Sequence, residues 1–174
     1  MTRPDKTRLK LNFLCVCCAL GLAMPFSYGW GLSSDQEQEL VYTADGNSTI
    51  ANSNGQRIVT VRDNVFVKQG SMELRGSQAV FEYDIDSNEL QRITVTGAPA
   101  RFQQEPDSGE GLIQGSSDTI IYLIGAQAVI DMTGNASFNQ NGSQMQCVRI
   151  QHNIDDGSTE MTGPCSGTLP PQSN

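Results

Sequence analysis

The chain has 174 residues, with 19 acidic against 11 basic side chains, and one histidine. From residue 32 onward seven of the basic and 18 of the acidic groups remain, a formal charge of about −11. That balance argues against a nucleic-acid binder, whose affinity rests on Lys and Arg facing phosphates, and against a protein that grips an anion mainly by charge.

Residues 1–31 read as a cleaved secretory signal. Arg3, Lys6, Arg8 and Lys10 form a cationic start, Phe13 to Met24 an apolar run, and Ser27-Tyr28-Gly29 a small-residue site with the cut near 29–31. The run is short for a membrane span. Cys15, Cys17 and Cys18 each lack the preceding small residue that lipid attachment wants. The 143 residues from 32 to 174 suit one domain, expected at 32–163, with a Pro-rich flexible tail at 164–174.

After the signal, apolar residues at helical spacing are absent and alternation at period two is widespread. Ala79, Phe81 and Tyr83 alternate with Val80, Glu82 and Asp84; similar runs cover Ile58–Val61 and Leu90–Val95. Turn pairs punctuate these runs: Asp45-Gly46, Asn54-Gly55, Gln69-Gly70, Asn141-Gly142 and Asp156-Gly157. The pattern predicts a dozen or more short antiparallel strands, an all-β fold. Gln103 to Gly111, with Glu105-Pro106-Asp107-Ser108-Gly109, is expected as an exposed loop.

One phrase recurs: an apolar strand, a Thr-Gly-like turn, then another strand. It is centred on Asp63, Gly97 and Gly134 and fades at Gly163, about 30 to 37 residues apart, a spacing typical of stacked supersecondary units. A shift of 71 places Val61 on Met132, Val65 on Ala136, Val67 on Phe138, Gly76 on Cys147 and Phe81 on His152. The Ala98-Pro99-Ala100 insertion after Gly97 predicts a bulge. The shared register assigns one apolar face to Val65, Val67, Leu74, Phe81, Tyr83, Ile93, Val95, Phe102, Ile120, Tyr122, Met132, Phe138, Met145 and Ile150. Most of these suit a plain core; a face that closes incompletely would be a groove for apolar ligands.

Catalytic motifs are missing. His152 falls where Phe81 does, a structural position, and no Gly-x-Ser-x-Gly, Walker or His-Glu-x-x-His segment accompanies it. Asp84, Asp86, Asp155 and Asp156 lie in turns and read as solvated. The sequons at Asn47, Asn135 and Asn141 are equally well explained as turn residues. Cys147 and Cys165 are either a disulfide, favoured in an oxidising compartment, or two buried thiols; with one distant histidine they make no metal site. The reading is of a non-enzymatic protein with no cofactor.

Four phrases in order carry a resemblance. Asp63-Asn64-Val65-Phe66-Val67-Lys68-Gln69-Gly70 is similar to a Gly-Asn-Val-x-Val-x-Gln-Gly signature, with Asp63 standing for glycine. Val95–Phe102, Leu112–Tyr122 and Met132–Ala136 follow. Across roughly residues 39–163 the chain resembles the OstA-like family of periplasmic lipopolysaccharide-transport proteins. The resemblance implies an elongated, open antiparallel β-jellyroll of repeated hairpin units with a hydrophobic groove. It also implies a periplasmic carrier that holds lipid A acyl chains in that groove. Its edge strands would pair with the inner-membrane export complex, the outer-membrane translocon and further copies, head to tail. Two alternatives stand beside this: an interaction module of the same fold without lipid carriage, and a secreted β-solenoid polysaccharide enzyme.

Overall fold

Alternating apolar and polar residues over long runs should make half-buried strands, and they do, but the strands are longer than the turn count suggests. The structure, a computed structural model, describes residues 33–106, 109 and 111–171; the expected signal segment lies outside them. A single helical turn, α1 (Ser33–Gln36), precedes β1 (Leu40–Thr43) and β2 (Ser48–Ser53). Six long strands follow: β3 (Gln56–Gln69), β4 (Met72–Asp84), β5 (Leu90–Gln104), β6 (Ile113–Leu123), β7 (Val129–Gln140) and β8 (Ser143–Asn153). Two short ones end the fold, β9 (Thr159–Thr162) and β10 (Ser166–Thr168). Every pairing is antiparallel, in a sheet ordered β1-β3-β4-β5-β6-β7-β8-β10, with β2 also on β3 and β9 also on β8.

The recurring Thr-Gly phrase is not a hairpin turn. At its first three sites it falls inside a strand, where the ladder slips: between Arg62 and Val65 in β3, Thr96 and Ala100 in β5, Thr133 and Ala136 in β7. Matching slips occur at Arg75/Gln78 in β4 and Ser116/Thr119 in β6. These aligned bulges bend each strand at its middle, so one long strand stands where two short ones were expected. Asp63, Asn64, Gly134 and Asn135 have φ of 65°, 48°, 81° and 49°, the left-handed region that glycine enters most easily. Asp63, where the family signature has glycine, is one of the residues best able to tolerate it. A Cβ on Gly134 would lie 2.6 Å from Asp118 Oδ2, and one on Gly76 2.6 Å from the Thr96 carbonyl oxygen.

The terminal elements obey the same rule. β1 and β2 pair with successive parts of β3, and Asp45 and Gly46 donate their N–H groups to the Asp63 and Arg62 carbonyls across the bend. β9 and β10 likewise divide β8 between them, with Gly163 at the break (φ 96°). Each pair is one bent strand interrupted at the kink, and these two form the sheet's ends. The faded fourth phrase therefore marks a terminal edge. The flexible tail expected from Pro164 instead supplies β10, so ordered strand extends to Thr168. Cys165, just before β10, is disulfide-bonded to Cys147 of β8.

The shift of 71 maps one hairpin onto another. In β3–β4, Val61 faces Ala79, Val65 faces Gly76 and Val67 faces Leu74; in β7–β8, Met132 faces Ile150, Ala136 faces Cys147 and Phe138 faces Met145. Tight turns close both hairpins, with Gly70 at φ 58° in one and Asn141 and Gly142 at 52° and 79° in the other.

Candidate functional site

Bent strands give the sheet an inner face, and cross-strand register shows how far that face runs. One row of directly paired residues is Ile50, Val59, Phe81, Ile93, Tyr122, Ile130, His152 and Thr159. A second is Ser48, Val61, Ala79, Val95, Ile120, Met132, Ile150 and Met161. A third, beyond the bend, is Tyr42, Val67, Leu74, Phe102, Gly115, Phe138, Met145 and Gly167. Each crosses eight bent strands, about 33 Å at about 4.8 Å per strand.

Twelve of the fourteen inner-face residues named from sequence lie on these rows; of the other two, Val65 pairs with Gly76 at the bend and Tyr83 with Leu90 at a slip.

 Val65 continues the same buried face at the bend. Of the fourteen, all but Tyr83 and Met145 are buried, and those two are half-buried. The interior is thus filled by its own side chains, as the plain-core reading has it for most of these positions. Met72, Ile113, Ile130 and Ile154 belong to the same core and were missed. Met72 and Ile130 were recoverable, each two residues before a named position.

The rows are closed along their middle and open at their ends. On the first edge Tyr42 is 46% and Ile50 72% exposed; on the last, Met161 is 39% exposed. Tyr42 packs against Phe81 at 5.1 Å between ring centroids, so the exposed edge is continuous with the core. His152 takes Phe81's place, buried against Phe138 at 5.3 Å, its Nδ1 within 3.0 Å of Thr159 Oγ1. Burial pushes its pKa down, with Asp156 opposing.

A chain that turns back on itself leaves its turns in two rims. One holds the β3–β4, β5–β6 and β7–β8 turns, the other the β4–β5, β6–β7 and β8–β9 turns. α1 touches both. Ser71 donates its backbone N–H and its hydroxyl to Asp35, each at 2.7 Å, and buried Gln104 donates to Asp35 at 3.0 Å. Across the seam, Gln36 Nε2 lies 3.5 Å from Asp155 Oδ1, and Asp155 Oδ2 accepts from the Ala128 N–H. Two expectations change here. Gln104 is buried strand, not exposed loop, and Asp155 joins two segments where a solvated turn carboxylate was expected. Burial, and next Asp155 and Asp35, push the Tyr122 phenol up to about 12.

The outer face carries a depression of about 250 Å³ lined by Glu73, Arg75, Arg101, Gln103, Gln114 and Ser116 among others. Glu73 pairs with Lys68 at 3.1 Å and Arg75 at 3.0 Å, which hold its carboxyl below the usual range. Among the described residues no cluster of three or more His, Cys, Asp or Glu is placed to hold a metal. None of their helices is long and apolar enough to cross a membrane.

A sequence profile described as "LptA/(LptD N-terminal domain) LPS transport protein" matches residues 43–158. The chain belongs to this family. The LptA/LptD N-terminal-domain family assignment agrees with two relatives. One is the lipopolysaccharide export system protein LptH of Pseudomonas aeruginosa, 26% identical over 140 residues, covering 80% of this chain and 77% of the relative. The other is the export protein LptA of Haemophilus influenzae, 23% identical over 134 residues, covering 76% and 75%. The crystal structure of the Pseudomonas LptH, titled the LptA-homologous periplasmic component of a lipopolysaccharide transport device, superposes with a TM-score of 0.71. It is 21% identical there, covering 79% of this chain and 99% of that one. The family relationship read from the four sequence phrases therefore holds, as does the open, antiparallel all-β architecture.

Proposed function

We propose that this is a non-enzymatic periplasmic protein that binds lipopolysaccharide and bridges the two membranes, with acyl chains against the inner face and sugars in water. The observation that carries the reading is the set of rows running side by side across the six long strands, apolar there except at His152 and Gly115, and ending on exposed Tyr42, Ile50 and Met161 at the two edges. A path of that kind offers equivalent apolar contacts at every step. On the order of ten methylenes at about 0.8 kcal/mol each supply roughly 8 kcal/mol before ordering costs. The edges fit the rest of the proposal. β2 and the β9–β10 pair lie at the ends of the sheet, carrying exposed Ile50 and Met161, with exposed Leu169 just past β10, and suit strand addition from the inner-membrane complex, the outer-membrane translocon or another copy.

The test is photo-crosslinking in cells from Phe138 and half-buried Met145 on the inner face, with outer-face Ser116 as control. The expected result is a lipopolysaccharide adduct from the two inner sites and none from Ser116. Adducts to strand-pairing partners alone, with no lipid captured from a folded protein, would favour the interaction-module alternative.

A further inference from the structure

The geometry points to α1 as a latch: its Asp35 and Gln36 tie the two turn-bearing rims together, so an acyl chain enters the interior from the side by displacing this turn. The inference rests on the lipid-carrying reading above and adds the place and control of entry.

Three observations converge on it. The first is that α1 is attached to both rims. On one side Asp35 accepts from the Ser71 N–H, the Ser71 hydroxyl and Gln104, while Gln69 Nε2 donates to the Gln36 and Gln38 carbonyls at 3.2 Å each. On the other side Gln36 reaches Asp155, which holds the Ala128 N–H, and the Ile154 N–H donates to the Ala128 carbonyl. The β6–β7 and β8–β9 turns are therefore bonded into one lip, and α1 joins it to the lip that holds Ser71 and Gln104.

The second is the fit at Gly70. A Cβ there would come within 2.7 Å of Asp35 Cγ and 2.9 Å of its Cα, and the residue has φ 58°. The turn is shaped to receive α1 closely, as a seat rather than a passing contact. The third is the chemistry of the attachment. The named bonds are between polar groups, and each can be replaced by water once the rims part. An apolar strap would resist opening; a polar one over an apolar interior exchanges its partners readily and shields the core until a ligand arrives. Tyr122 is buried, and after that burial the charges of Asp155 and Asp35, one from each side of the seam, both raise its phenol.

The test uses the full mature chain and a fluorescent, acylated lipid A as probe. In Gln36→Cys/Asp155→Cys, oxidised and checked by mass for 36–155 and 147–165 pairing, uptake should be at least tenfold slower than in the parent. Reduction should restore it, with the parent under the same reductant as reference. Asp35→Ala should take up probe at least threefold faster, and Asp35→Asn, which keeps an acceptor for Ser71, should fall between. A stapled protein that loads within twofold of the parent overturns the latch while leaving lipid carriage standing. A folded parent that takes up no probe overturns carriage and the latch with it. If Asp35→Ala does not fold, the stapled variant decides alone.

Discussion

Replacing Cys147 and Cys165 together by alanine is expected to lower the melting temperature by about 10 °C. The bond joins β8 to the segment entering β10, with Cα atoms 4.3 Å apart and the two cysteines 18 positions apart in sequence. Closing a loop of that size removes about 3 kcal/mol of unfolded-state entropy. Unfolding entropy of about 2.1 cal/mol/K per residue over a domain of this size gives about 0.3 kcal/mol/K, so 3 kcal/mol corresponds to about 10 °C. The structure adds where the loss should appear. β9 has four residues and β10 three, each paired only to β8, so few backbone bonds hold this edge without the cross-link. Calorimetry of parent and double variant gives the global shift, and hydrogen exchange over Thr159–Thr168 gives the local one. A melting temperature within about 2 °C of the parent, with unchanged exchange at that edge, would refute the reasoning.

Two further outcomes follow from the interior and the bend. His152 is buried with its pKa lowered from 6.5, so the unfolded chain takes up a proton that the folded one refuses. Stability should therefore fall as pH drops below about 6.5; urea midpoints at pH 7.5 and 5.5 should show it, and His152→Phe, the residue at the equivalent position 81, should flatten the difference. Gly134→Ala should destabilise by about 1–3 kcal/mol, because φ is 81° and the new Cβ meets Asp118, whereas Gly125→Ala, with nothing within 4 Å, should stay within about 0.5 kcal/mol in the same denaturant titration.

The inner face was legible because strand periodicity is local: within an unbroken stretch of strand, a residue two positions from a buried one points to the same face. That is why the alternation around Phe81 and the shift of 71 placed Phe138 and Ile150 correctly. The bends were visible as Thr-Gly phrases but misread, since a left-handed Asp63-Asn64 pair looks the same in sequence whether it reverses a strand or kinks it. What separates the two is the ladder on either side, a non-local fact. For the same reason α1 went unnoticed. Asp35 is four residues beyond the expected signal, and its meaning comes only from Ser71, Gln104 and the seam that folding brings to it. Gln104 was hidden in the same way, a polar residue beside a Glu-Pro-Asp loop whose burial depends on a partner 69 positions away.

A filled interior and a lipid carrier are compatible if opening costs less than the lipid returns, and the latch's share of that cost follows from its contacts. Releasing α1 gives up three bonds to Asp35, two from Gln69 and one to Asp155. Each is worth about 0.5–1.5 kcal/mol net when water takes the vacated partner, so release costs about 3–9 kcal/mol if the contributions add. Roughly ten methylenes return about 8 kcal/mol. The two are of the same order, so a single short chain leaves the rims near balance, whereas several chains on one headgroup bring a multiple of that gain against one release of the latch. The rows would then favour a multiply acylated lipid over a free fatty acid. Their uniformity along the sheet also means that, once the rims have parted, moving by one strand spacing exchanges like contacts for like.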